Sequence, residues 1–207
     1  MQIINPIPND VYLACSGGID SMFVYHFLKA GRKNVVCLFF NHGTTASAEA
    51  EEFLKLNVEN LIIGNLSKSR LPGESPEKFF RDQRYSFFSE FNNKPIIMCH
   101  HLNDVAESWI MSSLRGTPFL IPYKRDNFLR PFLMVTKQEI FDYCGRKNIQ
   151  WCEDKSNSDT SIPRNRVRHN IIEECREVYP GFFGMLKNKI QTLIGENEMT
   201  DKKGAVF

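Results

Sequence analysis

The chain has 207 residues, 42% of them hydrophobic, and a formal net charge of +2. A chain of this length hides roughly 70% of its unfolded surface on folding, which suits one ordinary domain and excludes both wholesale disorder and a disulfide-stapled miniprotein. The longest apolar run, Val35 to Phe40, is far short of the ~20 residues needed to span a bilayer. The N-terminal Met-Gln-Ile-Ile-Asn-Pro shows no basic stretch leading into an apolar one, so no membrane association and a cytoplasmic location are expected.

In chain order, Val11–Cys15 reads as a short apolar strand ending in Ser-Gly-Gly. Ile19, Met22, Phe23, His26, Phe27 and Ala30 then recur at helical spacing, and Gly31 stands where a helix would stop. Asn34–Phe40 predicts a buried strand, Thr45–Asn57 a helix and Asn60–Leu66 a third strand. Pro76 opens a helix at its first turn, with Phe80, Phe87, Phe88 and Phe91 directed inward. Pro95–Cys99 predicts a fourth strand, and Leu102, Val105, Ala106, Trp109, Ile110 and Ser113 an amphipathic helix ending at Arg115-Gly116. Leu129–Phe132 is a candidate fifth strand, and Thr136 caps a helix through about Lys147.

Strands apolar throughout, with helices between them, imply a parallel sheet covered on both faces. Right-handed crossovers make it doubly wound. The expected fold is therefore an α/β doubly wound parallel five-stranded sheet over residues 1–150. A small helical appendage over 151–194 and a frayed tail over 195–207 complete it.

The segment Ser16-Gly17-Gly18-Ile19-Asp20-Ser21 joins the first strand to its helix, the place where open α/β sheets bind ligands. Two glycines let the backbone approach an anion, and amides at the helix start point toward it. Asp20 suits a phosphate site if a Mg²⁺ ion lies between the two. A plain glycine turn is the alternative. No G-x-x-x-x-G-K-[ST] occurs, which excludes a P-loop kinase or GTPase. His100 and His101 follow the fourth strand, with Asp104 and Glu107 three apart on the next helix, able to face one site. A zinc site and a structural histidine pair are rivals there. His42 fits a loop histidine as well as a ligand contact. Arg115 either satisfies a helix end or offers a planar fork to phosphate. Arg164, Arg166 and Arg168 lie in ten residues without an acid, and alternate spacing cannot place all three on one helical face. One or two should point inward. The six cysteines form no Cys-x-x-Cys pair and read as reduced, mostly buried thiols.

Ser-Gly-Gly-x-Asp-Ser resembles the pyrophosphate loop of the N-type ATP pyrophosphatases. Other blocks narrow the resemblance to the tRNA(Ile)-lysidine synthetases: Asn41-His42-Gly43, Arg81 to Tyr85, His100-His101-Leu102-Asn103-Asp104 with Glu107, and Leu114 to Thr117. Further blocks are Arg130-Pro131-Phe132 with Glu139-Ile140, and Glu153 to Asn157 leading to Pro163 to His169. They span roughly residues 11–180 in that family's order. The resemblance implies ATP and Mg²⁺ as cofactors, with free L-lysine and the isoleucine tRNA bearing a CAU anticodon as substrates. Its catalytic set would be Asp20, Asp104, Arg84 and Arg115. Ser16, Gly17, Gly18, Ile19, Asp20, Ser21, Asn41, His42 and His100 would surround the nucleotide. Asp20 and Asp104 would hold Mg²⁺, and Arg164, Asn165 and Arg168 would meet RNA phosphates.

Two departures stand out. Thr44-Thr45 follow Asn-His-Gly where the family usually has Leu-Arg, and the C-terminal RNA-recognition domains of longer members have no counterpart in the 27 residues after Pro180. A tRNA thiolase of the same fold and a catalytically inactive nucleotide- or RNA-binding module are the alternative readings. The oligomeric state is left open.

Overall fold

The computed structural model describes residues 1–71, 73–153 and 159–204, with side chains as far as 196. The elements run β1 (Asp10–Ala14), α1 (Ile19–Ala30), β2 (Asn34–Asn41), α2 (Thr45–Asn57), β3 (Leu61–Asn65), α3 (Pro76–Ser89), β4 (Ile96–Ile97) and α4 (Leu102–Ser113). There follow β5 (Lys124–Arg125), β6 (Phe128–Leu129), α5 (Lys137–Lys147), α6 (Pro163–Arg166), a π-helical stretch (Val167–Ile171), α7 (Ile172–Val178) and α8 (Phe182–Gly204).

The sheet has six strands in the order β3-β2-β1-β4-β6-β5. Every pairing is parallel except that of β5 with β6. The expected fifth strand is thus a two-residue β6, joined by a tight turn through Asp126 at positive φ to an antiparallel edge strand, Lys124–Arg125. That edge strand is exposed and carries no apolar residue, so hydrophobic pattern alone does not reveal it.

Helices cover both sheet faces. On one, Leu13, Phe23, Leu28, Phe39, Leu54, Phe132 and Ile140 pack together from β1, α1, β2, α2, the segment after β6 and α5. On the other, Tyr12, Leu38, Phe88, Ile96 and Met98 form a smaller cluster beneath α3. On α3 the fully buried rings are Phe79 and Phe88; Phe80 and Phe87, and Phe91 just beyond the helix, are only half-buried. A third cluster lies between α4 and the C-terminal helices, with Leu102, Ile110, Val167, Phe182, Leu186 and Ile190 at its centre. The stretch from Gly195, expected as a frayed tail, continues α8 to Gly204.

Local chemistry sets the helix starts. Thr44 and Thr136 each accept a hydrogen bond from the amide three residues on, at 3.1 and 3.2 Å. Glu139 returns the contact to the Thr136 amide at 2.8 Å, closing a capping box. Helix α5 stops at left-handed Asn148. At the end of α1, Gly31 keeps a negative φ and Arg32 takes the left-handed conformation.

The functional consequence is topological. From β1 the chain steps outward to β2 and β3, then returns past β1 to β4 on its other side. That reversal opens a crevice beyond the carboxyl ends of β1 and β4, where doubly wound sheets take their ligands. The Ser16–Ser21 loop and the His100-His101 pair sit at those two ends.

Candidate active site at the sheet switch point

The loop after β1 is shaped by Gly17, whose φ of +82° is one that side-chain-bearing residues rarely adopt. Its carbonyl accepts from the Cys152 amide at 2.9 Å, tying the loop to the chain beyond α5. Ser16 is exposed, and its hydroxyl accepts weakly from the Gly18 amide at 3.4 Å. Ser21 is buried and donates to the Gly18 carbonyl at 2.9 Å. Ser21 therefore braces the turn, while Ser16 and the amides at the start of α1 face outward. Ile19 packs into the core and offers the site only its backbone.

Asp20 meets two partners that its own helix does not supply. Lys137 Nζ, at the start of α5, donates to its Oδ1 at 2.6 Å, and His101 Nε2 lies 3.4 Å away. Burial alone would raise the Asp20 carboxyl. The His101 contact and the Lys137 charge outweigh it and hold the group well below the usual carboxylate range. His101 is 4% exposed, and the same Nε2 stands 3.6 Å from Asp104 Oδ2. The imidazole thus lies between two carboxylates, and its Nδ1 is buried without a hydrogen-bond partner. Asp104 also accepts from the His101 amide at 2.9 Å, capping α4. Asp20 and Asp104, brought to the same imidazole, are hard oxygen donors of the kind Mg²⁺ takes alongside phosphate oxygens, so their chemistry fits that ion.

Glu107, one turn along α4 and 3% exposed, is gripped by two arginines. Arg164 Nε reaches its Oε1 at 2.6 Å, and Arg168 Nη2 its Oε2 at 2.8 Å. Arg168 also approaches Asp104 Oδ1 at 3.5 Å. Burial raises the Glu107 carboxyl, and the two guanidiniums oppose that shift. Arg166 is exposed, and no ion pair to Glu107 is formed by it among the described residues. Two of the three arginines therefore face inward, as the alternate spacing predicted.

Other expected residues are placed differently. Asn165 is turned inward, 6% exposed, and donates to the Asp159 carbonyl at 3.0 Å. That bond braces the turn before α6. Arg115 is exposed beyond the end of α4. Eleven residues of helical rise separate it from Asp104 along the axis, ~16 Å, so it does not converge with the carboxylates. Asn41 donates to Glu51 at 2.7 Å and accepts from the Gly43 amide at 2.8 Å, shaping the bend after β2. His42 sits edge-on to Phe40 and Phe80, both with ring centroids 5.1 Å away. His100 turns to a different neighbourhood from His101: Arg130 and Arg84 act on it along with Asp104. Burial, reinforced by those arginines, lowers its imidazole to about 4. Arg84 shares that neighbourhood, apart from Asp20. The Asp154-Lys155-Ser156-Asn157 segment lies outside the described residues.

Sequence reasoning missed His101 as the member of the pair that joins the carboxylates, and missed Lys137 altogether. Lys137 carries no local sign of its role, since it lies 117 residues from Asp20.

A glycine-bent anion loop at the switch point of a doubly wound parallel sheet, with acidic and basic side chains opposite it, defines an α/β protein built for phosphate-bearing ligands. More narrowly, the chain belongs to the PP-loop domain family, whose model matches residues 2–175. Among curated proteins it is 27% identical over 183 residues to the tRNA(Ile)-lysidine synthase of Exiguobacterium sibiricum, covering 82% of this chain and 44% of that one. To the enzyme of the same name from Nitrosomonas europaea it is 29% identical over 201 residues, covering 87% and 44%. The chain thus spans a little under half the length of these relatives. Among solved structures it superposes on the U34-tRNA thiolase of Methanococcus maripaludis with a TM-score of 0.69 at 14% identity, covering 90% of this chain and 72% of that one. That likeness is one of fold.

Proposed function

We propose that this chain catalyses ATP-dependent joining of lysine to the wobble cytidine of the AUA-decoding isoleucine tRNA, in the cytoplasm. The observation that carries the reading is the meeting of Asp20, His101, Asp104, Glu107, Arg164 and Arg168 at one point. These residues come from three separated blocks that resemble the lysidine synthetases, and the relatives of that name align over 82–87% of this chain.

In the first step O2 of the cytosine attacks the α-phosphorus of ATP and pyrophosphate leaves. The loop amides and Ser16 would bind the phosphates, and Lys137 would balance Asp20 beside them. A Mg²⁺ held by Asp20 and Asp104 would neutralise charge on the phosphates. In the second step the ε-amine of lysine attacks C2 of the activated ring and AMP leaves. An amine with an ordinary pKa of about 10.4 must first shed a proton, and Asp104, half-buried beside His101, is positioned to receive it. The target base must leave its stack, at a cost of a few kcal/mol that is least in a loop.

The test uses purified protein, an unmodified AUA-decoding isoleucine tRNA transcript, ATP, Mg²⁺ and radiolabelled lysine. Label should enter the RNA, and a transcript with uridine at the wobble position should take up none. Asp104→Asn should lower the rate 10²-fold or more, whereas unimpaired incorporation would remove Asp104 from the chemistry.

The thiolase reading rests on Cys99, half-buried at the site's edge, where its thiol donates to the Ala14 carbonyl at 3.4 Å. Burial pushes that thiol well above its ordinary value, which leaves it a poor nucleophile at neutral pH. Sulfur transfer to the same transcript, abolished by Cys99→Ser, would establish this reading in place of the first.

A further inference from the structure

A second group of basic side chains lies on the same sheet edge, its arginines without an ion-pair partner among the described residues. Arg130, just after β6, is 5% exposed; its Nη1 donates to the Pro122 carbonyl at 3.2 Å, and Tyr85 lies beside it. The Nε of Arg130, the Nε of Arg84 and the Nδ1 of His100 are all buried without a hydrogen-bond partner. Among the described residues neither Arg84 nor Arg130 forms an ion pair. Contrast Arg164 and Arg168, which meet Glu107 within 3 Å. Nearby, Arg81 and Arg125 add further positive charge, and Asp104 is the acidic group that acts on His100.

A buried guanidinium with no anion is strongly disfavoured, and a donor without an acceptor in the interior loses its hydration for nothing. Three distant segments nevertheless supply these groups: Arg84 from α3 and Arg130 from the end of β6 both act on His100 at the end of β4. Guanidinium forks match the tetrahedral, acceptor-rich phosphate group, and a neutral imidazole adds a donor to it.

We propose that Arg84, His100 and Arg130, with Tyr85 beside them, form a cluster of donors that binds one phosphate group, separate from those cradled by the Ser16–Ser21 loop. That group is either a phosphodiester of the RNA strand or a phosphate of the nucleotide. The RNA source rests on the function proposed above.

The full-length chain is titrated separately with an anticodon stem-loop RNA, ATP and inorganic pyrophosphate over a series of salt concentrations. Arg130→Gln should weaken RNA binding about tenfold and make the slope of log K against log[salt] shallower by about 0.7–0.9, one phosphate contact. Arg130→Lys should retain most of that slope. With ATP and pyrophosphate affinities unchanged, the source is the RNA backbone. Loss of ATP and pyrophosphate affinity with an unchanged RNA slope assigns the phosphate to the nucleotide. Unaltered binding of all three probes, even in a variant that melts earlier, gives Arg130 a purely structural role and overturns the proposal. Should Arg130→Gln not fold, Arg84→Gln at the half-buried rim carries the same readout. No lysine incorporation is measured, so the outcome stands apart from whether lysidine is made.

Discussion

Asp20 is an anion beside a loop built to attract anions, and Lys137 resolves that conflict with its 2.6 Å contact. Replacing Lys137 by Met leaves the carboxylate with His101 alone beside it, next to incoming phosphate. ATP affinity should then fall about tenfold at low ionic strength and less at high salt, because an exposed charge effect is screened; calorimetric titration at two salt concentrations reads both. His100 gives the pH dependence. Its folded value is about 4 against an ordinary 6.5, so between those pH values the unfolded chain holds more protons. Stability must therefore fall as pH drops from 6.5 toward 4. In His100→Gln that part of the decline should vanish, as read from urea midpoints at pH 7, 5.5 and 4.5.

Among the elements, α3 depends on a glycine in the sheet. A Cβ on Gly64 of β3 would lie 2.6 Å from the Phe87 ring, so the helix sits closer to the strand than any other residue allows. Gly64→Ala should cost roughly 1–3 kcal/mol by overpacking and displace the helix that carries Arg84. Adding Phe87→Leu should recover part of the loss, which a double-mutant cycle in thermal stability detects. The helices themselves were legible because periodicity, the caps at Thr136 and Pro76, and the stop near Gly31 are local signals. Short strands were not: β4 and β6 are two residues each, too brief for any period to register. Among the phenylalanines of α3, a one-residue difference in helical phase separated the buried Phe79 from the half-buried Phe80.

At the scale of the molecule, the C-terminal segment reaches the candidate site and packs on α4. The arginines that grip Glu107 start the segment whose following helices pack on α4 through Leu186, which is fully buried. Leu186→Ala should cost about 2–5 kcal/mol through the cavity it leaves, and the loosened contact should also raise the exchange rate of α4 amides. No helix among the described residues is long and apolar enough to cross a membrane.

The sequence by itself determined the parallel α/β architecture, the glycine-bent loop, and that the three arginines could not all share one face. All of these follow from the spacing of neighbouring residues. Tertiary structure alone decided which histidine faces the carboxylates, that Lys137 balances Asp20, that Asn165 and Ser21 brace their own turns, and that Arg130 is buried with no ion-pair partner among the described residues. Each of those outcomes depends on distant strands and helices being brought to one sheet edge. A side chain's charge and size are written locally, but its partner is chosen by topology.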